Sequence, residues 1–260
     1  MLSIENLTMS VRDHQILRGV SVEVAEGETV GLVGESGSGK STTARAALRI
    51  LPDGAEVSGN VTVCGHDATN SVAVREVRRT LAAMIFQEPR SVLNPVRRIG
   101  DSAAERLVYV HGMPKSEARQ RISELFVEVG LKDVDRLLRC YPHQLSGGML
   151  QRVVIAAALS ITPRLLLADE ATSALDVTTQ AEVLALLRRL QREREMGVLF
   201  ITHDLRLAAA YCDRVYVMKE GSIVDHQKGD AIFVNPTQQY TKALADAVPL
   251  LPERDSTVRA

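Results

Sequence analysis

The sequence contains no tryptophan, and phenylalanine and tyrosine together make up only 3% of its 260 residues. A platform for single-stranded nucleic acid stacks bases on exposed aromatic rings along a basic groove. Neither ingredient is here: 31 Lys and Arg residues stand against 32 Asp and Glu residues, a formal net charge of -1. No nucleic acid is expected as a partner. Cysteine is as sparse, and Cys64, Cys140 and Cys212 form no C-x-x-C pair, which excludes a disulfide framework or a cysteine zinc site and suits a reducing compartment. No apolar run approaches the roughly 20 residues of a bilayer span, and the first residues lack a basic start followed by an apolar core, so a membrane role is expected only through partners. Five of the six histidines, His14, His66, His111, His143 and His226, show no metal-ligand spacing and are read as surface or structural residues.

What the chain does have is 45% hydrophobic residues, ample for a packed core. Short β-branched runs at 2–6, 20–24, 29–33, 60–64, 81–86, 165–169, 198–202, 215–218 and 222–226 predict strands. Helical spacing covers 40–51, 115–129, 149–159, 178–195 and 205–211. This alternation predicts an α/β fold, a mainly parallel sheet with helices on both faces. Two regions depart from it. Up to about residue 63 several strands accompany one helix, which predicts an antiparallel layer on the sheet's edge, whereas 94–160 is helical without a strand signal and predicts an inserted lobe. The expected division is 1–93 and 161–235 for the two parts of a core, 94–160 for a helical subdomain and 236–260 for a C-terminal tail, frayed from about Pro249.

Three motifs carry chemistry. GESGSGKST, Gly34 to Thr42, fits the P-loop pattern: Gly34, Gly37 and Gly39 let backbone amides face a phosphate, Lys40 reaches it as a point charge, and the Ser41 hydroxyl can ligate Mg²⁺. A flexible Gly/Ser turn is the bland alternative, disfavoured because a strand and a helix flank the loop. LLLADE, Leu165 to Glu170, is a buried strand ending in two carboxylates that point in different directions. Asp169 can hold Mg²⁺ through its water shell while Glu170 faces an attacking water; solvated acids at a strand end are the alternative. LSGGMLQR, Leu145 to Arg152, offers Ser146 as a helix cap and Gly147 and Gly148 as a clear approach to unpaired amides, a second phosphate-binding end or a plain cap. One γ-phosphate does not need two helix ends from one chain, so a head-to-tail dimer is expected.

In order along the chain, GESGSGKST, Gln87, LSGGMLQR, LLLADE, SALD and His203 resemble an ATP-binding cassette (ABC) ATPase, the nucleotide-binding subunit of an ABC transporter, from about residue 3 to 245. The resemblance implies a P-loop NTPase (RecA-like) core with an antiparallel β layer and an inserted α-helical subdomain. It also implies two subunits sandwiching ATP between the P-loop of one and the signature of the other. By the same resemblance ATP and Mg²⁺ are the cofactors. Gln87 senses Mg²⁺ and the water, Asp176 crosses the dimer interface, and His203 contacts the γ-phosphate. The implied catalytic set is Glu170, His203, Lys40 and Gln87. Nucleotide contacts fall to Gly34, Ser36, Gly37, Ser38, Gly39, Lys40, Ser41, Thr42, Gln87, Asp169, Ser146, Gly147, Gly148, Gln151 and Asp176, with Ser41, Gln87 and Asp169 around the metal.

Within that family, FQEPRSVLNP, YPHQLSGGMLQR, ALDVTTQAEVL and NPTQQYTKAL are similar to the oligopeptide, dipeptide and nickel importer group. The group implies a second, non-identical ATPase subunit, two membrane permease subunits, an extracytoplasmic solute-binding protein, and a peripheral position on the cytoplasmic face of the inner membrane. Peptide is the first expected solute, nickel or a metal chelate the second, and a soluble non-transport ABC ATPase the alternative of another class. Three positions depart from the pattern: Val11 replaces an adenine-stacking aromatic, Ala171 replaces the proline after the glutamate, and Gln239 replaces the proline before Tyr240.

Overall fold

The computed structural model describes residues 1–173 and 175–247; Ala174 and the tail expected to fray from Pro249 lie outside the described residues. Strands β1 (Leu2–Val11), β2 (His14–Val24), β4 (Ala55–Val63) and β5 (His66–Asp67) form one antiparallel sheet in the order β2-β1-β4-β5. A second sheet has the order β10-β9-β3-β8-β7-β6, built from β3 (Thr29–Val33), β6 (Ala82–Ile85), β7 (Leu165–Asp169), β8 (Gly197–Thr202), β9 (Arg214–Lys219) and β10 (Ser222–Lys228). Its strands run parallel except β10, which pairs antiparallel with β9 at the edge.

The central strands read as unbroken apolar runs because both faces are covered. Along β7, Leu165 and Leu167 enter one core while Leu166 and Ala168 enter the other, and β8 divides Leu199 and Ile201 from Val198 and Phe200 in the same way. On one face lie α1 (Lys40–Ala47) and then the antiparallel sheet, whose Ile4, Leu7, Leu17 and Val22 share a core with Ala44, Ala47 and the main sheet. The antiparallel strands form the expected separate layer: it lies over α1 and meets the edge of the main sheet at the β9–β10 turn, where the Arg18 amide donates to the Gly221 carbonyl at 2.8 Å. Among the described residues the helices on that face are α1 and α2 (Ser71–Glu76), which runs into a π-helical turn, Val77–Leu81.

No strand interrupts the described chain between β6 and β7. There lie α3 (Pro89–Val92), α4 (Ile99–Tyr109), α5 (Lys115–Glu128), α6 (Val134–Leu137) and α7 (Gly147–Leu159). Helices α4, α5 and α7 pack on one another, and their core, with Phe126, Ile122 and Leu150 fully buried, is continuous with the second face of the main sheet. That face is completed by α8 (Val177–Glu193), α9 (Leu205–Tyr211), α10 (Ala231–Val234) and α11 (Gln239–Asp246).

Candidate nucleotide site

Strand β3 is buried along its whole length and delivers the chain to Gly34 at the C-terminal end of the parallel sheet. A Cβ on Gly34 would stand 2.1 Å from the Met218 carbonyl on β9, so only glycine lets the loop leave the sheet here. Gly34, Ser36, Gly37 and Ser38 form the turn, and Gly39 is the N-cap of α1 with no side-chain cap, which leaves the first amides of α1 for a ligand. Lys40 is buried with its ammonium folded over the loop, donating to the carbonyls of Gly34 at 2.8 Å and Glu35 at 2.7 Å. Burial pulls this ammonium below the ordinary lysine range, against the opposing pull of Glu170, Asp169 and Glu35. Thr42 follows on the first turn of α1.

Ser41 and Asp169 meet where β3 and β7 end. The Ser41 hydroxyl donates to Asp169 Oδ1 at 2.6 Å, whereas Oδ2 is buried without a hydrogen-bond partner, 3.7 Å from Arg45 Nη2. Burial pushes the Asp169 carboxyl up, only partly offset by Ser41 and Arg45. A buried, orphaned carboxylate oxygen beside a hydroxyl is the donor set a hard divalent cation takes, so these residues fit Mg²⁺. Arg45 was not singled out from the sequence, although it lies four residues after Ser41 on α1 and so on the same face.

Glu170 occupies the left-handed region at φ 46, uncommon for a residue with a side chain. Its amide donates to the Ile201 carbonyl at 3.0 Å and its carbonyl accepts from Ser173 Oγ at 3.0 Å, which fix the turn. The carboxylate sits between two other expected residues: Oε2 accepts from Gln87 Nε2 at 2.6 Å, and Oε1 lies 3.5 Å from His203 Nδ1. Gln87 therefore pairs with Glu170 rather than with the Ser41–Asp169 pair to which it was expected to contribute a metal ligand. His203 follows β8 and is 62% exposed, just before Asp204, which caps α9. Glu170, Thr172, Gln180, Thr202 and His203 line a cavity of about 200 Å³.

The signature residues lie elsewhere, at the start of α7. Ser146 caps the helix, accepting from the Met149 amide at 3.4 Å. Gly148 meets its own chain: an added Cβ would stand 2.5 Å from Thr179 Cγ2 on α8, whereas Gly147 has room. Asp176 is the N-cap of α8, accepting from the Thr179 amide at 3.0 Å and hydroxyl at 2.7 Å. Gln151, expected to touch nucleotide, is 1% exposed with its Nε2 unpaired. The helical period turns it inward among the other buried residues of α7.

Residues 17–173 match the model of a family described as ABC transporter. The glutathione import ATP-binding protein GsiA of Escherichia coli K12 is 42% identical over 96% of this chain and 42% of that protein, so the chain spans well under half of that relative's length. The oligopeptide transport ATP-binding protein AppD of Bacillus subtilis is 43% identical over 90% of this chain and 72% of that protein. Among solved structures, cbiO1 from Clostridium perfringens, part of the ABC transporter complex cbiONQ, superposes with a TM-score of 0.77 at 28% identity, covering 90% of each chain. A dimeric post-hydrolysis state of the ATP-binding cassette MJ0796 bound to ADP and Pi gives 0.76 at 30% identity, covering 88% of this chain and 98% of that one. With the P-loop, the paired carboxylates and these relatives in view, the chain belongs to the ABC transporter family.

Proposed function

We propose that this chain is the ATP-binding and ATP-hydrolysing subunit of an importer, and that its solute is a peptide. The observation that carries the reading is the convergence of Gln87 and His203 on the Glu170 carboxylate, next to a P-loop lysine and the Ser41–Asp169 pair. Backbone amides of residues 37–42 and the Lys40 ammonium bind the phosphates. Glu170 takes the proton of, or orients, the water, while Gln87 and His203 fix the direction of its carboxylate. Mg²⁺, held by Ser41 and Asp169, would supply charge neutralisation on the phosphate oxygens.

A second ATPase subunit, non-identical to this one, completes each site with the exposed amides near Ser146 and Gly147 and with its own Asp176. Closure on ATP and parting after hydrolysis form the working stroke. Two membrane subunits receive that stroke. A groove of about 320 Å³ between Met84, Val92 and Leu93 on one side and Ser102, Ala103 and Tyr109 on the other supports docking of a cytoplasmic helix from one of them, since Val92 and Tyr109 are exposed. A solute-binding protein outside the membrane delivers the cargo, and this chain sits peripherally on the cytoplasmic face. Peptide as solute is supported by the glutathione and oligopeptide relatives.

Phosphate release by Glu170→Gln tests the reading. Removing the base is expected to slow hydrolysis about 10²- to 10⁴-fold while ATP binding is kept. Wild-type turnover in that variant would contradict it.

A further inference from the structure

Glu170 faces two spaces. Its carboxylate lies between Gln87 and His203 in the site described above, and it also lines the cavity of about 200 Å³ whose wall includes Thr172, Gln180, Thr202 and Asp204. Two of these side chains are deeply buried: Thr172 is 4% exposed and Thr202 6%. The Thr172 hydroxyl accepts from Gln180 Nε2 at 3.1 Å, and the Thr202 hydroxyl accepts from the Asp204 amide at 3.1 Å. A threonine hydroxyl has one hydrogen to give and a glutamine amide has two. Among the described residues neither hydroxyl donates to a protein acceptor, and Gln180 Nε2 donates only to Thr172, so these hydrogens are left for a guest rich in acceptor oxygens.

The reaction supplies such a guest. In an in-line displacement the attacking water and the leaving oxygen stand on opposite sides of the phosphorus, which therefore moves toward the water as its bond to the ADP oxygen breaks. The water sits on the Glu170 side, so the new phosphate is set free against the cavity. Glu170 and Asp204 carry charge of the same sign as the phosphate and shorten its stay, which suits a station on the way out rather than a store. His203 and Asp204 are exposed, so the cavity opens to solvent past them.

We propose that this cavity receives inorganic phosphate after hydrolysis, bound by the hydroxyls of Thr172 and Thr202 and the amide of Gln180, and passes it to solvent beside His203. The inference rests on the nucleotide reading above and adds a product site to it.

Thr172→Val and Thr202→Val, made separately, each keep a branched side chain and remove the donor. Each is assembled with the sister ATPase and the membrane subunits and mixed with ATP and Mg²⁺. Chemical quenching counts phosphate formed, and a fluorescent phosphate sensor counts phosphate released. The turnover belonging to this chain's site is the part that Glu170→Gln removes. Within that part each valine variant is expected to form phosphate within about twofold of the wild-type rate but to release it about three- to tenfold more slowly, the span of one hydrogen bond. Thr172→Ser and Thr202→Ser keep the hydroxyl and should release it as the wild type does. Release that keeps pace with formation in both valine variants overturns the proposal. So does formation slowed as much as release, or a lag that persists in the serine variants. If Glu170→Gln turns over as the wild type does, the nucleotide reading fails and the product site with it; if it loses turnover while the valine variants show no lag, the product site alone fails.

Discussion

At the residue scale the site holds a cost in reserve. Asp169 is buried, its Oδ2 has no hydrogen-bond partner, and burial raises its carboxyl above the unfolded value. The folded chain then binds more protons than the unfolded chain between those two values, so Asp169 lowers stability as pH rises through that window and costs most at neutral pH. Asp169→Asn keeps an acceptor for Ser41 and removes the buried charge. We predict a nucleotide-free melting temperature raised by about 2–4 °C, equivalent to roughly 1 kcal/mol, together with loss of Mg²⁺-dependent hydrolysis. Calorimetry alongside a phosphate-release assay checks both halves; a lower melting temperature would contradict the account of Asp169. Asp169 and Glu170 were legible in the sequence because a buried strand gives way to a turn there, and Lys40 and Ser41 because a helix starts directly after a Gly/Ser loop, changes of pattern that need no coordinates. Arg45 was not legible as a neighbour of the site. Its contact with Asp169 crosses 124 residues of chain and depends on which strands lie side by side.

At the element scale, Gly148 and Thr179 set how closely α7 and α8 approach. Thr179 cannot turn its methyl away without breaking the 2.7 Å bond from its hydroxyl to Asp176. Alanine at 148 would gain about 1 kcal/mol of helix propensity but lose about 1–3 kcal/mol to overpacking, so a net loss of stability is expected. Thr179→Ser removes the methyl and keeps the hydroxyl, and Gly148→Ala/Thr179→Ser should recover the stability in denaturant unfolding. Failure of that rescue would place the strain elsewhere. Strand positions along the main sheet were legible from apolar runs, but β1 extends to Val11 beyond the predicted 2–6 because register shifts between Ile4 and Leu7 and a positive φ at Asn6 break the alternation that marks a strand. Helix α1 stops at Ala47, short of the predicted 51: Arg49 turns to φ 49 and the Ile50 amide closes back on the Arg45 carbonyl. The apolar spacing runs on past that cap, so the sequence pattern alone overshoots.

At the scale of the whole molecule, the layering places the P-loop and the start of α7 on different parts of the fold. The P-loop rises from the middle of the parallel sheet under the antiparallel layer, while α7 begins in the helical stretch between β6 and β7. The α/β class and the strandless stretch were legible; the stacking of the antiparallel sheet over α1 was not, because periodicity reports which residues are buried and not against which layer. On the function proposed above, the P-loop and the exposed, glycine-lined end of α7 each supply half of a site, and ATP is expected to join the chain to a sister subunit. Sedimentation of the Glu170→Gln chain, alone and mixed with its sister ATPase subunit, tests this most directly. With Mg²⁺ and ATP a species of twice the monomer mass is expected in at least one of the two samples, reverting when ADP replaces ATP; a chain that stays monomeric in both under saturating ATP would rule out the shared site.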